Sequence, residues 1–277
     1  MTPIILDCHV HAWPDALVQR NVEMIKSLSG ITPAYDGSIS SLEKCMEKCG
    51  TSRSLVNNIV LKPELMRKAN DWTAKAVAAS KGRDIELLGM GWLIAGAQES
   101  VEEAERCANE LGFKAFKMHH SHMKILPEDP KNFEIYEKIS QLGLPVLFHC
   151  GRNPYARDSS TQYCTPDKFE PVLSSFDRMK VILGHFAGFE DDPEDARQVL
   201  SNHRNAVADT AIDFSEKPYK EVVDFIRSLG VSRFVFGSDF PIHDPAHTID
   251  WLKKSLDQDE FDSITNSNFK GLFRASA

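Results

Sequence analysis

The sequence predicts a (β/α)8 TIM barrel formed by one domain spanning residues 1–277, and three observations predict it. Eight short apolar runs alternate with helix-like segments along the chain. Alternation of this kind implies a parallel sheet covered by helices, and near-continuous apolar runs imply strands buried on both faces. A length of 277 residues suits one barrel. An open dinucleotide-binding sheet has little support, because no GxGxxG turn follows the first run. No internal repeat, low-complexity tract or linker divides the chain.

The first strand, ILDCHVH at Ile5 to His11, stops where Ala12 and Trp13 lead into Pro14. After a polar loop and helix, Ser40 and Ser41 are expected to cap a helix running to about Lys48, closed by Gly50. SLVNNIVL at Ser54 to Leu61 reads as the second strand, Pro63 to Ala79 as a helix, and IELLGMGWL at Ile85 to Leu93 as the third strand. Glu99 to Leu111 is a helix with Gly112 after it, followed by FKAFKMH at Phe113 to His119. Asn132 to Leu142 is helical, and LPVLFHC at Leu144 to Cys150 is the fifth strand. A long polar loop precedes a helix at Pro166 to Phe176. KVILGH at Lys180 to His185, a helix at Glu194 to Asn202, and NAVADT at Asn205 to Thr210 follow. Lys217 to Leu229 is helical, RFVFGSD at Arg233 to Asp239 is the eighth strand, and two helical stretches close the chain.

The net charge of −8 and the lack of any Lys/Arg run argue against a nucleic-acid surface. No apolar run is long enough to cross a bilayer. Six scattered cysteines in a chain with no visible signal peptide point to reduced thiols and the cytoplasm.

Chemistry in a barrel sits at the C-terminal ends of its strands, and here those ends carry metal-capable groups. His9 and His11 stand two apart, so an unbroken strand puts them on one face with Asp7, with Cys8 and Val10 opposite. Lys117 and His119 lie on the fourth run, His149 ends the fifth, His185 the sixth and Asp239 the eighth. Packing alone accounts poorly for such a set, since buried His and Asp lose solvation unless paired.

LDCHVH, FHCG, LGHFAG and FGSDFP, in this order, resemble the amidohydrolase superfamily, in particular its amidohydrolase-2 branch of decarboxylases, hydratases and lactonases. The likeness runs from Asp7 to NSNFKGLF at Asn266 to Phe273. It implies that His9, His11, His149 and Asp239 hold a divalent metal, with zinc expected and manganese or iron as alternatives. It also implies an open position for a water whose pKa falls to about 7 on zinc. Asp239 would take its proton, and His185 would polarise the substrate, shuttle a proton or hold a second metal. A fourth-strand lysine is carboxylated in two-metal members. One metal and an uncarboxylated Lys117 are expected here, the lysine binding a substrate carboxylate. TatD-type nucleases share the HxH but carry a fourth-strand glutamate that FKAFKMHH lacks.

His119 is expected to line the mouth, while His120 and His122 read as loop residues. In the loop after the fifth strand, Arg152 is the candidate carboxylate clamp, Tyr155 stands beside it, and Arg157 reads as a solvated charge. Asp209 is expected to orient His185 or a substrate group, or to act as a structural cap. No role follows for Asn70. The expected activity is metal-dependent hydrolysis of a small, carboxylated amide, ester or lactone. Non-oxidative decarboxylation is the rival, a metal-free lactonase a third option, and an inactive barrel serving as a scaffold the reading of another class. A small molecule is the expected partner, and the resemblance allows a homo-oligomer.

Overall fold

The structure is a computed structural model and describes residues 4–152, 162–214 and 220–272. Eight parallel strands follow one another round the sheet in chain order. They are β1 Ile5–His11, β2 Thr51–Asn57, β3 Glu86–Trp92, β4 Ala115–Met118, β5 Val146–Phe148, β6 Val181–Leu183, β7 Ala206–Asp209 and β8 Phe234–Val235. Irregular backbone pairing joins the last strand to the first. Cys8 N–H donates to the Phe236 carbonyl at 2.9 Å, and Asp239 N–H donates to the His9 carbonyl at 2.9 Å.

One apolar residue from each strand fills the barrel interior: Leu6, Leu55, Met90, Ala115, Leu147, Ile182, Val207 and Val235. Two residues beyond Ala115, Leu147 and Val207, on the same strand face, stand Lys117, His149 and Asp209. The polar groups thus sit one layer above a packed apolar floor, toward the C-terminal rim. A second, larger core packs the outer faces of the strands against the helices, with Phe116, Phe148, Tyr136 and Phe225 among its largest members.

The alternation expected for the first strand breaks. Register shifts lie within β1, the second between Asp7 and Val10. Cys8 therefore joins Leu6 in the interior cluster, while Val10 packs outward against Leu42 and Met46 of the helix Ile39–Cys49. A bulge of this kind re-aims side chains at an active-site rim.

The helices follow the expected order with small shifts. Ser38, not Ser40 or Ser41, caps the helix Ile39–Cys49 by accepting from Ser41 N–H, and Gly50 ends it at φ 78°. Helix Pro63–Ser80 carries Asn70, which is fully buried and pins the end of β3. Its amide donates to the Trp92 carbonyl and to Glu103, and its oxygen accepts from Trp92 N–H. The expected helix at Pro166 to Phe176 is a 3-10 turn, Pro166–Phe169, leading into Glu170–Ser175. Beyond β6 the chain enters a left-handed turn: His185, Phe186 and Ala187 have φ of 57°, 52° and 57°. Regular β8 pairing covers only Phe234–Val235. Among the described residues no helix is long and apolar enough to cross a membrane.

Candidate metal centre

Three donor atoms converge at the rim. Ligand atoms of His9, His11 and Asp239 lie within 4.8 Å of one another. Asp239 Oδ1 is 3.3 Å from His9 Nε2 and 3.2 Å from His11 Nε2. The two histidines come from β1, and Asp239 from the segment after β8, in the left-handed region at φ 58°. Asp7 ties those two segments together, since its Oδ1 accepts from His9 N–H and from Ser238 N–H, both at 3.1 Å.

Hydrogen bonds behind the rings decide which nitrogens face this point. His11 Nδ1 lies 3.0 Å from Asn57 Oδ1. The Asn57 amide nitrogen donates to the Val10 carbonyl, so its oxygen must face the ring and accept. His9 Nδ1 lies 2.7 Å from Asp209 Oδ2. Both imidazoles therefore donate through Nδ1 and present Nε2 lone pairs to Asp239. Lone pairs and a carboxylate at this spacing repel unless a cation or a proton stands among them, and imidazole plus carboxylate is a divalent-metal donor set. Without a metal a proton serves. Burial would raise Asp239, but its bond with His11 and the nearby histidine charges prevail and hold it at about 2.

Lys117 enters the same point from β4. Its Nζ lies 2.8 Å from His9 Nε2, and the residue is 1% exposed. Burial lowers Lys117 to about 8, while Asp239 and Asp209 oppose the shift. Burial, and then the Lys117 charge, push His9 well below the ordinary imidazole range.

His149 stands beside the three-residue group and is not part of it. A chain of hydrogen bonds holds its ring in place. The Ala211 carbonyl can only accept, so His185 Nδ1, 2.6 Å away, donates to it. His185 Nε2 lies 3.0 Å from His149 Nδ1. His149 Nε2 is buried and has no hydrogen-bond partner. A buried polar atom without a partner costs free energy, and a cation relieves it. His149 is thus poised to donate, although it lies outside the trio.

The remaining expected residues fall as follows. The His119 ring stacks on His149 at 4.0 Å and on His122 at 3.6 Å, and His120 and His122 lie in the short helix His120–Met123 rather than in a loop. His120 turns away, fully buried, with Nε2 2.7 Å from the Tyr136 hydroxyl. Asp209 is fully buried, and its oxygens accept from protein groups: His185 N–H, Ala211 N–H and the His9 ring. Burial raises its carboxyl, opposed by the His185 and Lys117 charges. Arg152 is two-thirds exposed and lies 3.9 Å from Asp191. It borders a separate cavity of about 440 Å³ with Lys168, Asp167, Asp191, Asp192 and Asp195, which includes none of the donor residues. Tyr155 and Arg157 lie outside the described residues. Asn57 and Asp7 were missed as functional. Asn57 ends β2 at Thr51–Asn57, whereas the sequence placed that strand at Ser54 to Leu61 and so hid Asn57 inside it.

A parallel barrel with imidazole and carboxylate donors at its C-terminal rim belongs to the class of metal-dependent barrel enzymes. The amidohydrolase family model (Amidohydro_2) matches residues 6–270, and the chain belongs to that family. The chain is 23% identical over 257 residues to gamma-resorcylate decarboxylase of Polaromonas sp. (strain JS666 / ATCC BAA-500), covering 76% of each chain. It is 22% identical over 256 residues to gamma-resorcylate decarboxylase of Rhizobium sp. (strain MTP-10005), again covering 76% of each. Among solved structures, dihydroxybenzoic acid decarboxylase from Polaromonas sp. JS666, with bound manganese and the inhibitor 2-nitroresorcinol, superposes with a TM-score of 0.75. That match has 18% identity and covers 98% of both chains. 5-Carboxyvanillate decarboxylase from Sphingomonas paucimobilis gives 0.73 at 16% identity, covering 99% of this chain and 100% of that one. These likenesses show the fold.

Proposed function

We propose that residues 1–277 form one catalytic unit, a divalent-metal-dependent decarboxylase of a small hydroxylated carboxylate. The observation that carries this reading is the convergence of His9 Nε2, His11 Nε2 and Asp239 Oδ1 on one point, with the buried Lys117 ammonium against it. Manganese or zinc suits this donor set. A bound dication there would withdraw electron density from the oxygens of an anionic substrate.

The chain's own residues supply the rest. Lys117 adds positive charge to a rim that already favours anions when loaded. The rings of His122, His119 and His149 stack in a column, whose end face suits a planar molecule. Decarboxylation breaks the bond between the carboxylate carbon and its neighbour. The electron pair stays on that neighbour, a proton takes the vacated position, and carbon dioxide leaves. That proton comes from solvent, and Asp239, at the cation point, is placed to relay it. His185, with both ring nitrogens given to Ala211 and His149, orients His149 rather than acting as the acid. The decarboxylase relatives support this reading over the hydrolysis expected from the sequence.

Hydrolysis is retained as a second reading because Asp239, held ionised, is also a proton acceptor beside the cation point. The test is incubation of manganese- or zinc-loaded protein with dihydroxybenzoates and carboxylated lactones, following carbon dioxide and products. Carbon dioxide with a decarboxylated phenol, absent in His9→Ala, supports decarboxylation. Ring-opened lactone without carbon dioxide moves the assignment to hydrolysis.

A further inference from the structure

Asp209 is the last residue of β7, fully buried, and its two oxygens face different partners. Oδ1 accepts from His185 N–H at 2.7 Å and from Ala211 N–H at 3.1 Å. Oδ2 lies 2.7 Å from His9 Nδ1. On the other side of the same ring, Nε2 faces the Lys117 ammonium at 2.8 Å. An ammonium only donates, so both edges of the ring agree on one arrangement: hydrogen on Nδ1, lone pair on Nε2.

Space around the pair is kept open by Gly237, in the segment after β8. A Cβ on Gly237 would come within 2.9 Å of His9 Cβ and 3.1 Å of Asp209 Cβ. The close approach of carboxylate and ring is therefore built into β1, β7 and the segment after β8.

We propose that Asp209 is a positioning residue that fixes which nitrogen of His9 carries the proton, and so presents Nε2 to the cation. It touches neither cation nor substrate. Oδ1 holds the backbone entering the His185 turn, and Oδ2 sets the His9 tautomer. The inference rests on the cation point proposed above, but the tautomer exists in the metal-free protein and is read there.

Asp209→Asn separates the two duties. Its single oxygen is claimed by the two backbone N–H groups, so its NH₂ faces His9 Nδ1. An amide NH₂ only donates, which forces His9 to accept at Nδ1 and to carry its hydrogen on Nε2. The experiment is a long-range ¹H–¹⁵N spectrum of histidine side chains in metal-free wild type, Asp209→Asn and His9→Ala, the last assigning the His9 signals. Manganese and zinc titrations run in parallel. The expected result is Nδ1–H for His9 in the wild type and Nε2–H in Asp209→Asn. Metal affinity should fall about 10–100-fold, the usual cost of removing a partner behind a ligand. Asp209→Asn added to His9→Ala should lower affinity no further.

An Asp209→Asn protein whose His9 keeps Nδ1–H and binds metal at full strength overturns the proposal. If that variant does not fold, the wild-type spectrum alone decides: Nε2–H on His9 overturns the proposal and Nδ1–H supports it. If wild-type protein shows Nδ1–H but binds no metal, the cation reading fails while the role of Asp209 as tautomer setter stands.

Discussion

Asn57 serves His11 as a neutral counterpart of the carboxylate behind His9, and an amide can do so because the Val10 carbonyl locks its orientation. Asn57→Leu keeps a similar volume and removes the acceptor. Metal affinity measured against a competing chelator should fall about 10–100-fold with little change in fold. His120 lends itself to a different test. Burial lowers it to about 3 in the folded chain against 6.5 for the free group. The unfolded chain therefore binds more protons between those values, and folded stability falls as pH drops from about 6.5 toward 3. The slope is at most about 1.4 kcal/mol per pH unit. In urea unfolding at pH 7 and pH 5, His120→Gln should lose less stability between the two than the wild type. At this scale the sequence was legible wherever a residue's type alone implied its task. His9, His11 and Asp239 were visible as strand-end donors. Asp7 was not, because its role depends on a seam between the first and last strands that no local pattern encodes.

The turn that carries His185 shows how an element can work against its own sequence. Three consecutive non-glycine residues hold left-handed dihedrals, a conformation that costs roughly 1–2 kcal/mol per residue for L-amino acids. Phe186 is anchored in the outer core, and His185 is held by Asp209 and Ala211, so packing and polar bonds offset the strain. Ala187→Gly should relieve part of it and raise stability by about 1 kcal/mol in denaturant titration. Gly237→Ala should do the reverse, because its methyl meets His9 and Asp209. A loss of roughly 1–3 kcal/mol is expected, with weaker metal binding, checked by thermal unfolding and metal titration. Neither feature was legible beforehand. KVILGH reads as an unbroken strand because nothing in its apolar pattern marks where the backbone changes hand. The first strand misled in the same way, since strict alternation put Val10 and Cys8 together while the bulge sends them to different cores.

At the scale of the molecule the alternation of strand and helix was enough. All eight strands overlap the apolar runs that predicted them, because burial on both faces leaves a pattern that survives errors of up to four residues at an end. Arg152 shows the limit of that reading. Its place in the sequence suggested the mouth, whereas its exposed side chain lies toward Asp191 and the outer cavity. Metal binding should stabilise the whole barrel, by about 2.7 kcal/mol at one hundred times the dissociation constant. Stripping the metal with a chelator should lower the melting temperature by a few degrees in wild type and leave His9→Ala unchanged. The donors of the trio also come from opposite ends of the chain, two from the first strand and one from beyond the last. A polypeptide still on the ribosome, with Asp239 not yet made, therefore offers a cation only the two histidines. Closure of the seam, where the segment after β8 meets β1, is thus the same step that assembles the cation point.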